Sequence, residues 1–203
     1  MTFEEAEEKV TFTDIDESMV DMIADYFDPI TNHEFWKNRN VNLEKLSPKL
    51  ETKKIWTTTI QRERLEKKPI PSLAVLYESQ AIGFHILTHI EGNKTARFHA
   101  HFCNPRFRGL GIALYTYPQV CKIFIHRFEL EYIHFKTPIN NIAPNRVKEK
   151  LKIPPGEVTP INDSSLMIKG TLGINYQLSL DQIENIISEQ KKLNSLNLSL
   201  PTV

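Results

Sequence analysis

Phe102-Cys103-Asn104-Pro105-Arg106-Phe107-Arg108-Gly109-Leu110-Gly111-Ile112-Ala113-Leu114 is the stretch whose reading decides the fold. Residues 96–103 alternate like a half-buried strand, and Asn104-Pro105 ends it because proline cannot donate to a ladder. From Ile112 to Phe128 the apolar residues recur at helical spacing, so a strand runs into a helix through arginine and two glycines. The first turn of a helix leaves its backbone N–H groups without partners, and the dipole adds partial positive charge there. An anion is the natural occupant. Gly109 and Gly111 carry no Cβ to hold a bulky diphosphate off the backbone, and Arg108 and Arg106 can supply charge-assisted hydrogen bonds.

Upstream of the turn, residues 72–77, 81–90 and 96–103 are β-branched and aromatic runs joined by short polar connectors, which predicts an antiparallel meander. Before them, 10–15 reads as a strand, 19–27 as a helix capped from Asp16–Ser18, 28–48 as a long connection or short helix, and 49–68 as a charged amphipathic helix closed by Pro69 and Pro71. Phe35, Trp36 and Trp56 are read as core or lid aromatics. Downstream, 132–137 reads as a buried strand, 145–152 as a helix, 165–169 and 175–180 as strands, and 181–192 as a terminal amphipathic helix. The prolines and glycine of 153–163 predict a loop, and 194–203 either an added strand or a disordered tail. Pro118 lies inside the long helix and predicts a kink or early break, because the Leu114 carbonyl loses its donor. The fold class is α/β (α+β): a mixed, largely antiparallel sheet of six or seven strands with helices on both faces. Residues 1–180 are read as one domain, with 181–203 a C-terminal helix and tail.

The bulk numbers narrow the partners. Lys plus Arg and Asp plus Glu are 25 each in 203 residues, so no overall field draws the chain to nucleic acid or an anionic membrane. The longest apolar runs are strand-sized, below the ~20 residues of a membrane span. Cys103 and Cys121 lie in apolar segments without metal spacing, and no basic-then-apolar leader is visible, which predicts a reducing, cytoplasmic setting. Hairpin pairing is expected to bring His85 near His101, but imidazoles without carboxylate or thiolate at ligand spacing predict no metal.

The segment Arg108-Gly109-Leu110-Gly111-Ile112-Ala113 resembles the Q/R-x-x-G-x-G/A signature of the GNAT N-acetyltransferases, and Asn104-Pro105-Arg106-Phe107-Arg108-Gly109 resembles its x-P-x-(Y/F)-R-G lead-in. A weaker match, from Asn141 to Ile153, resembles N-x-x-A-x-x-L-Y-E-K-L-G-F through Asn141, Val147, Glu149, Lys150 and Leu151. Lys148 stands where that pattern has the tyrosine that protonates the departing thiolate, and Lys152 where it has glycine. The competing dinucleotide fingerprint needs a third glycine at Leu114 and a parallel half-sheet, and has neither.

The resemblance implies acetyl-CoA as co-substrate and a small-molecule or peptide amine as acceptor. It implies that Arg106, Arg108, Gly109, Leu110, Gly111, Ile112 and Ala113 hold the pyrophosphate, that the backbone of Phe102, Cys103 and Asn104 pairs with the pantetheine, and that Asn141 lies along the same arm. The implied chemistry is direct amine attack, for which His101 or His99 is the base or water anchor. Lys148 is the candidate acid, with Tyr115 and Tyr117 as alternatives; as a bland reading Lys148 is a solvated helix residue. The runner-up function is a GNAT-like fold that has lost catalysis and serves as a binding or structural component, for instance of a phage particle. The acceptor's identity and the oligomeric state are not legible.

Overall fold

The computed structural model describes residues 2–92, 94–162 and 167–198. Its elements run α1 (Phe3–Lys9), β1 (Val10–Asp14), α2 (Val20–Phe27), α3 (His33–Lys37), α4 (Lys49–Leu65), β2 (Ser72–Tyr77), β3 (Gln80–Glu91), β4 (Thr95–His101), α5 (Ile112–Phe128), β5 (Tyr132–Pro138), α6 (Ile142–Lys150), β6 (Val158–Pro160), β7 (Leu172–Ser179) and α7 (Leu180–Leu198). Among the described residues seven strands form one sheet, ordered β1-β2-β3-β4-β5-β7-β6. β2 through β4 are the expected antiparallel meander, with Glu78 and Ser79 both at positive φ in the tight β2–β3 turn, and β1 extends it by pairing antiparallel with β2.

The two faces of the sheet bury different sets. Phe98, Ile133, Phe135 and Leu178 pack with Val120, Cys121 and Phe124 of α5 and Ile183 of α7. On the opposite face Ala74 and Phe84 pack with Ile15, Ile23 of α2 and Ile60 of α4. Each fully buried side chain of this size contributes about 1.5–3 kcal/mol, so both helical layers are held by apolar burial. Strand alternation decides which residue faces which layer.

β4 and β5 run parallel and pair only at Thr95↔Tyr132, Ala96↔Ile133 and Arg97↔His134. Past that point β4 stays with β3 and β5 stays with β7, so a wedge opens between them toward the Asn104 turn. On the far side of β4, Gly83 lies so close that a Cβ there would stand 2.2 Å from the His101 carbonyl oxygen.

Several elements differ from the sequence reading. The acidic start is α1, closed by a capping box in which Thr2 accepts from the Glu5 amide and Glu5 accepts from the Thr2 amide. The stretch read as a loop, 153–163, contains β6, and β7 begins at Leu172. Of the strand expected at 165–169, residues 165 and 166 lie outside the described residues, while Met167 makes one bridge to Val41 before a turn. Helix α7 runs on to Leu198 in place of the expected strand or disordered tail; residues 199–203 lie outside the described set.

Helix α5 is continuous through Pro118, so the early break, one of the two expected outcomes, does not occur. The Leu114 carbonyl, which loses its donor to Pro118, accepts a hydrogen bond from Gln190 Nε2 of α7 at 2.8 Å. A side chain from another helix replaces the missing amide.

Candidate active site

The site is built from the turn outward. Asn104 ends β4 by giving its amide to the Ile82 carbonyl at 3.1 Å, and its Oδ1 accepts from the Arg106 amide at 3.0 Å, winding Pro105–Phe107 into one 3-10 turn. Phe107 packs on Tyr77, with ring centroids 5.2 Å apart. Gly109 and Gly111 then take φ of +80° and +84°, which other residues adopt only with strain. Gly111 is the N-cap of α5, and no side chain caps it. Among the described residues the amides of Gly109, Leu110 and Gly111 donate to no carbonyl or side chain. Ile112, buried with Val10, Val75 and Ile82, pins this tip to the sheet, while Arg106, Gly109, Leu110 and Gly111 stay exposed. An uncapped helix tip bounded by left-handed glycines can bind an anion without rearranging.

Arg108 does not simply point outward. Its Nε donates to the Phe102 carbonyl at 2.9 Å and its Nη2 to the Cys103 carbonyl at 3.1 Å, with Cζ 4.3 Å from the Phe35 ring centroid. The guanidinium therefore fastens the turn to the end of β4, and Arg106 is left as the exposed cation beside the tip. Burial pushes the Cys103 thiol up to about 12, against the pull of Arg108, so it is no nucleophile at neutral pH.

The histidines separate. His101 pairs with Phe84 and His85 with Ala100, so they face opposite sides of the sheet and the expected His85–His101 approach does not occur. His85 is buried against α5 with Nε2 3.0 Å from Thr116 Oγ1. His101 lies under α2, stacked on Phe84 at 4.8 Å, with Nδ1 3.4 Å from the Tyr26 hydroxyl. Loss of hydration, then the neighbouring His99, pushes His101 down to about 3, so it is neutral at physiological pH. His99 Nε2 is 2.9 Å from Thr88 Oγ1.

Across the wedge stands α6. Asn141 precedes it, its amide bonded to the Pro138 carbonyl at 2.9 Å. Lys148 is not a solvated helix residue: it is 2% exposed, with Nζ 5.6, 5.3 and 5.2 Å from the ring centroids of Tyr117, Phe135 and Tyr176 and 3.3 Å from the Pro144 carbonyl. Burial pulls its pKa down to about 7. Phe135 is the first β5 residue past the last β4 pairing, so the amine lies beside the wedge, on the α5 side of the sheet.

Sequence reading missed three residues that shape this site. Asn145 donates from Nδ2 to the Pro138 carbonyl at 3.0 Å and accepts from the Tyr176 hydroxyl at 3.2 Å, tying the end of β5 to α6. Tyr26 and Arg39 line the opposite flank with Phe35. Asn145 had a local signal, being one turn beyond Asn141; Tyr26 and Arg39 had none, since only tertiary folding brings α2 and the segment after α3 to β4. Two clefts of about 440 and 650 Å³ lie elsewhere, between α5 and α7 and between the end of β1 and the end of α4. Among the described residues no group of three His, Cys, Asp or Glu is placed to hold a metal, and no helix is long and apolar enough to cross a membrane.

A seven-stranded sheet that splays between its parallel pair, with a bare helix tip at the splay, defines the class; solved structures name it. No family model and no curated protein sequence matches the chain. An acetyltransferase from Salmonella typhimurium that modifies the N-terminal serine of 50S ribosomal subunit protein L7/L12 superposes with a TM-score of 0.67 at 16% identity, over 86% of this chain and 96% of its own. A GNAT-family acetyltransferase from Bacillus anthracis gives 0.64 at 12%, over 85% and 96%. The putative acetyltransferase yncA from Salmonella typhimurium, solved with acetyl-CoA, gives 0.62 at 14%, over 85% and 95%. The fold is that of the GNAT acetyltransferases.

Proposed function

We propose that the chain is an acetyl-CoA-dependent N-acetyltransferase acting on a small-molecule or peptide amine in the cytoplasm. One observation carries this: the uncapped amides of Gly109–Gly111 stand at the mouth of the wedge between β4 and β5. That arrangement fits a diphosphate at the helix tip with an extended arm running into the wedge.

In this reading the tip amides and Arg106 hold the pyrophosphate, and Ile112 and Ala113 contribute the first-turn amides. The backbone of Phe102, Cys103 and Asn104 borders the pantetheine arm, with Asn141 on its other side. Bound acetyl-CoA supplies a thioester carbonyl open to attack by a neutral amine. The C–N bond forms as the C–S bond breaks, the amine proton leaves to water, and the thiolate must gain a proton.

The amine approaches from the α2 side, where neutral His101, with Tyr26, and His99, with Thr88, anchor the accepting water. His101 is too weakly basic to take the proton itself at neutral pH, so it serves as the anchor. Lys148 lies on the α5 side and gives a proton to the thiolate, for which a pKa of about 7 is well matched.

Calorimetry with CoA tests the cradle: binding is expected, and Arg106→Glu and Arg108→Glu should each abolish it. Thiol release with a panel of amines then tests transfer. No CoA binding refutes the proposal; tight binding without turnover on any amine replaces it with a catalytically silent binding module.

A further inference from the structure

Arg39 and Arg108 share one aromatic platform. Their Cζ atoms lie 3.6 and 4.3 Å from the centroid of the Phe35 ring, and both side chains are half-buried. Arg39 Nη1 donates to the Phe35 carbonyl at 2.8 Å, and Arg108 is fastened to the carbonyls of Phe102 and Cys103. Most of the Arg39 fork is left unspent. Among the described residues neither guanidinium pairs with a carboxylate. The acids on the elements packed around them are engaged elsewhere: Asp21 with Lys53, Asp25 with Lys49, Asp28 with Thr31 and Glu34 with His33. Burial acts against the charge on Arg39, Tyr26 offsets part of that, and the neighbouring Arg108 adds to the burial effect. Two like charges on one ring, partly desolvated and without a counterion, are costly unless an anion joins them. Their forks suit bidentate capture of a carboxylate or phosphate.

We propose that Arg39 and Arg108 form an anion-recognising arm of the acceptor site, so that the amine acetylated here carries a carboxylate or phosphate group. This rests on the acetyltransferase reading and narrows it. The pair stands at the end of β4 on the α2 side, the side from which the amine approaches, and its charge disfavours purely cationic polyamines.

The test is phenylglyoxal labelling of Arg39 in the CoA-loaded protein, mapped by mass spectrometry. The probes are the peptide amide Ser-Glu-Glu, the peptide amide Ser-Gln-Gln, phosphoethanolamine and spermidine. The acidic peptide, phosphoethanolamine or both should slow labelling about fivefold at saturation, and the neutral peptide and spermidine should not. Which of the two acidic probes protects distinguishes carboxylate from phosphate. Protection by CoA alone would assign the anion to the coenzyme and overturn the proposal, as would protection by neither acidic probe or equal protection by the neutral one. In transfer assays Arg39→Gln should narrow the kcat/KM ratio between acidic and neutral peptides about tenfold, the worth of one charge-assisted hydrogen bond. A separate CoA titration distinguishes the failures: absent CoA binding sinks the acetyltransferase reading, whereas CoA binding with unprotected Arg39 sinks this inference alone.

Discussion

Replacing Lys148 with methionine should make the protein more stable and less active, and the size of the first effect follows from the structure. The ammonium is 2% exposed, faces three aromatic rings and has one carbonyl partner, with no carboxylate beside it among the described residues. Its pKa in the fold is about 7 against 10.5 for a free lysine. Between those values the unfolded chain binds more protons than the folded one, so stability rises with pH across that window. Below about pH 7 both states hold the proton, the penalty is complete and the slope vanishes. At about 1.4 kcal/mol per pH unit the full span is roughly 5 kcal/mol, of which roughly 4 persists at pH 7 and about 2 at pH 9. Water entry and relaxation reduce the effect, so about 2–4 kcal/mol is the working figure at pH 7.

Methionine has similar length, no charge and enough flexibility to fill the same space. Urea unfolding followed through Trp36 and Trp56 fluorescence should show Lys148→Met stabilised by about 2–4 kcal/mol at pH 7, with the advantage shrinking by pH 9 as the parent gains stability. A variant less stable than the parent at pH 7, or parallel pH slopes for the two proteins, would refute the reasoning. If Lys148 protonates the thiolate, kcat falls about a hundredfold while CoA affinity holds. A stabilised variant with full activity would remove Lys148 from the chemistry and leave its burial without a functional reason.

Three further outcomes follow from the same coordinates. Gln190→Leu should cost about 1–3 kcal/mol by orphaning the Leu114 carbonyl, and a Pro118→Ala background, which restores the main-chain donor, should reduce that cost by about 1 kcal/mol in a double-mutant cycle. Gly111→Val forces a β-branched residue to φ of +84° at the N-cap of α5; thermal unfolding should show a loss of about 1–2 kcal/mol, and calorimetry a fall in CoA affinity of about tenfold or more. His101, held down to about 3, should show flat imidazole chemical shifts from pH 5 to pH 8; a midpoint near its usual value would restore it as a direct base.

The meander and the strand-turn-helix were legible because local chemistry decides them. Alternation ends at Asn104-Pro105, and only glycine suits the two left-handed positions before Ile112. α1 was also legible in principle, since Thr2 and Glu5 are a capping box, but seven residues give little periodicity to read. β6 and the run of α7 to Leu198 depend on tertiary partners: three residues among prolines make a strand only because β7 lies alongside. In the same way Pro118 carries its local cost, but the remedy comes from Gln190, 76 residues in sequence from the Leu114 carbonyl it satisfies. Lys148 reads as solvated because Arg146, Lys150 and Lys152 surround it in sequence. Helical geometry turns it, unlike Arg146 and Lys150, inward to a cage whose walls come from α5, β5 and β7.

Arg108 is where motif and geometry diverge most usefully. As a residue type beside two glycines it reads as a phosphate ligand, yet its Nε and one Nη are spent on the carbonyls of Phe102 and Cys103 and its plane rests near Phe35. Lysine could not replace it, because a single ammonium cannot span both carbonyls while holding a planar contact with the ring. The strand end, the glycine turn and the aromatic flank from α3 are thus joined by one guanidinium. Arginine at this position fixes where the amides of Gly109–Gly111 point, and the direct grip on a diphosphate falls to those amides and to Arg106.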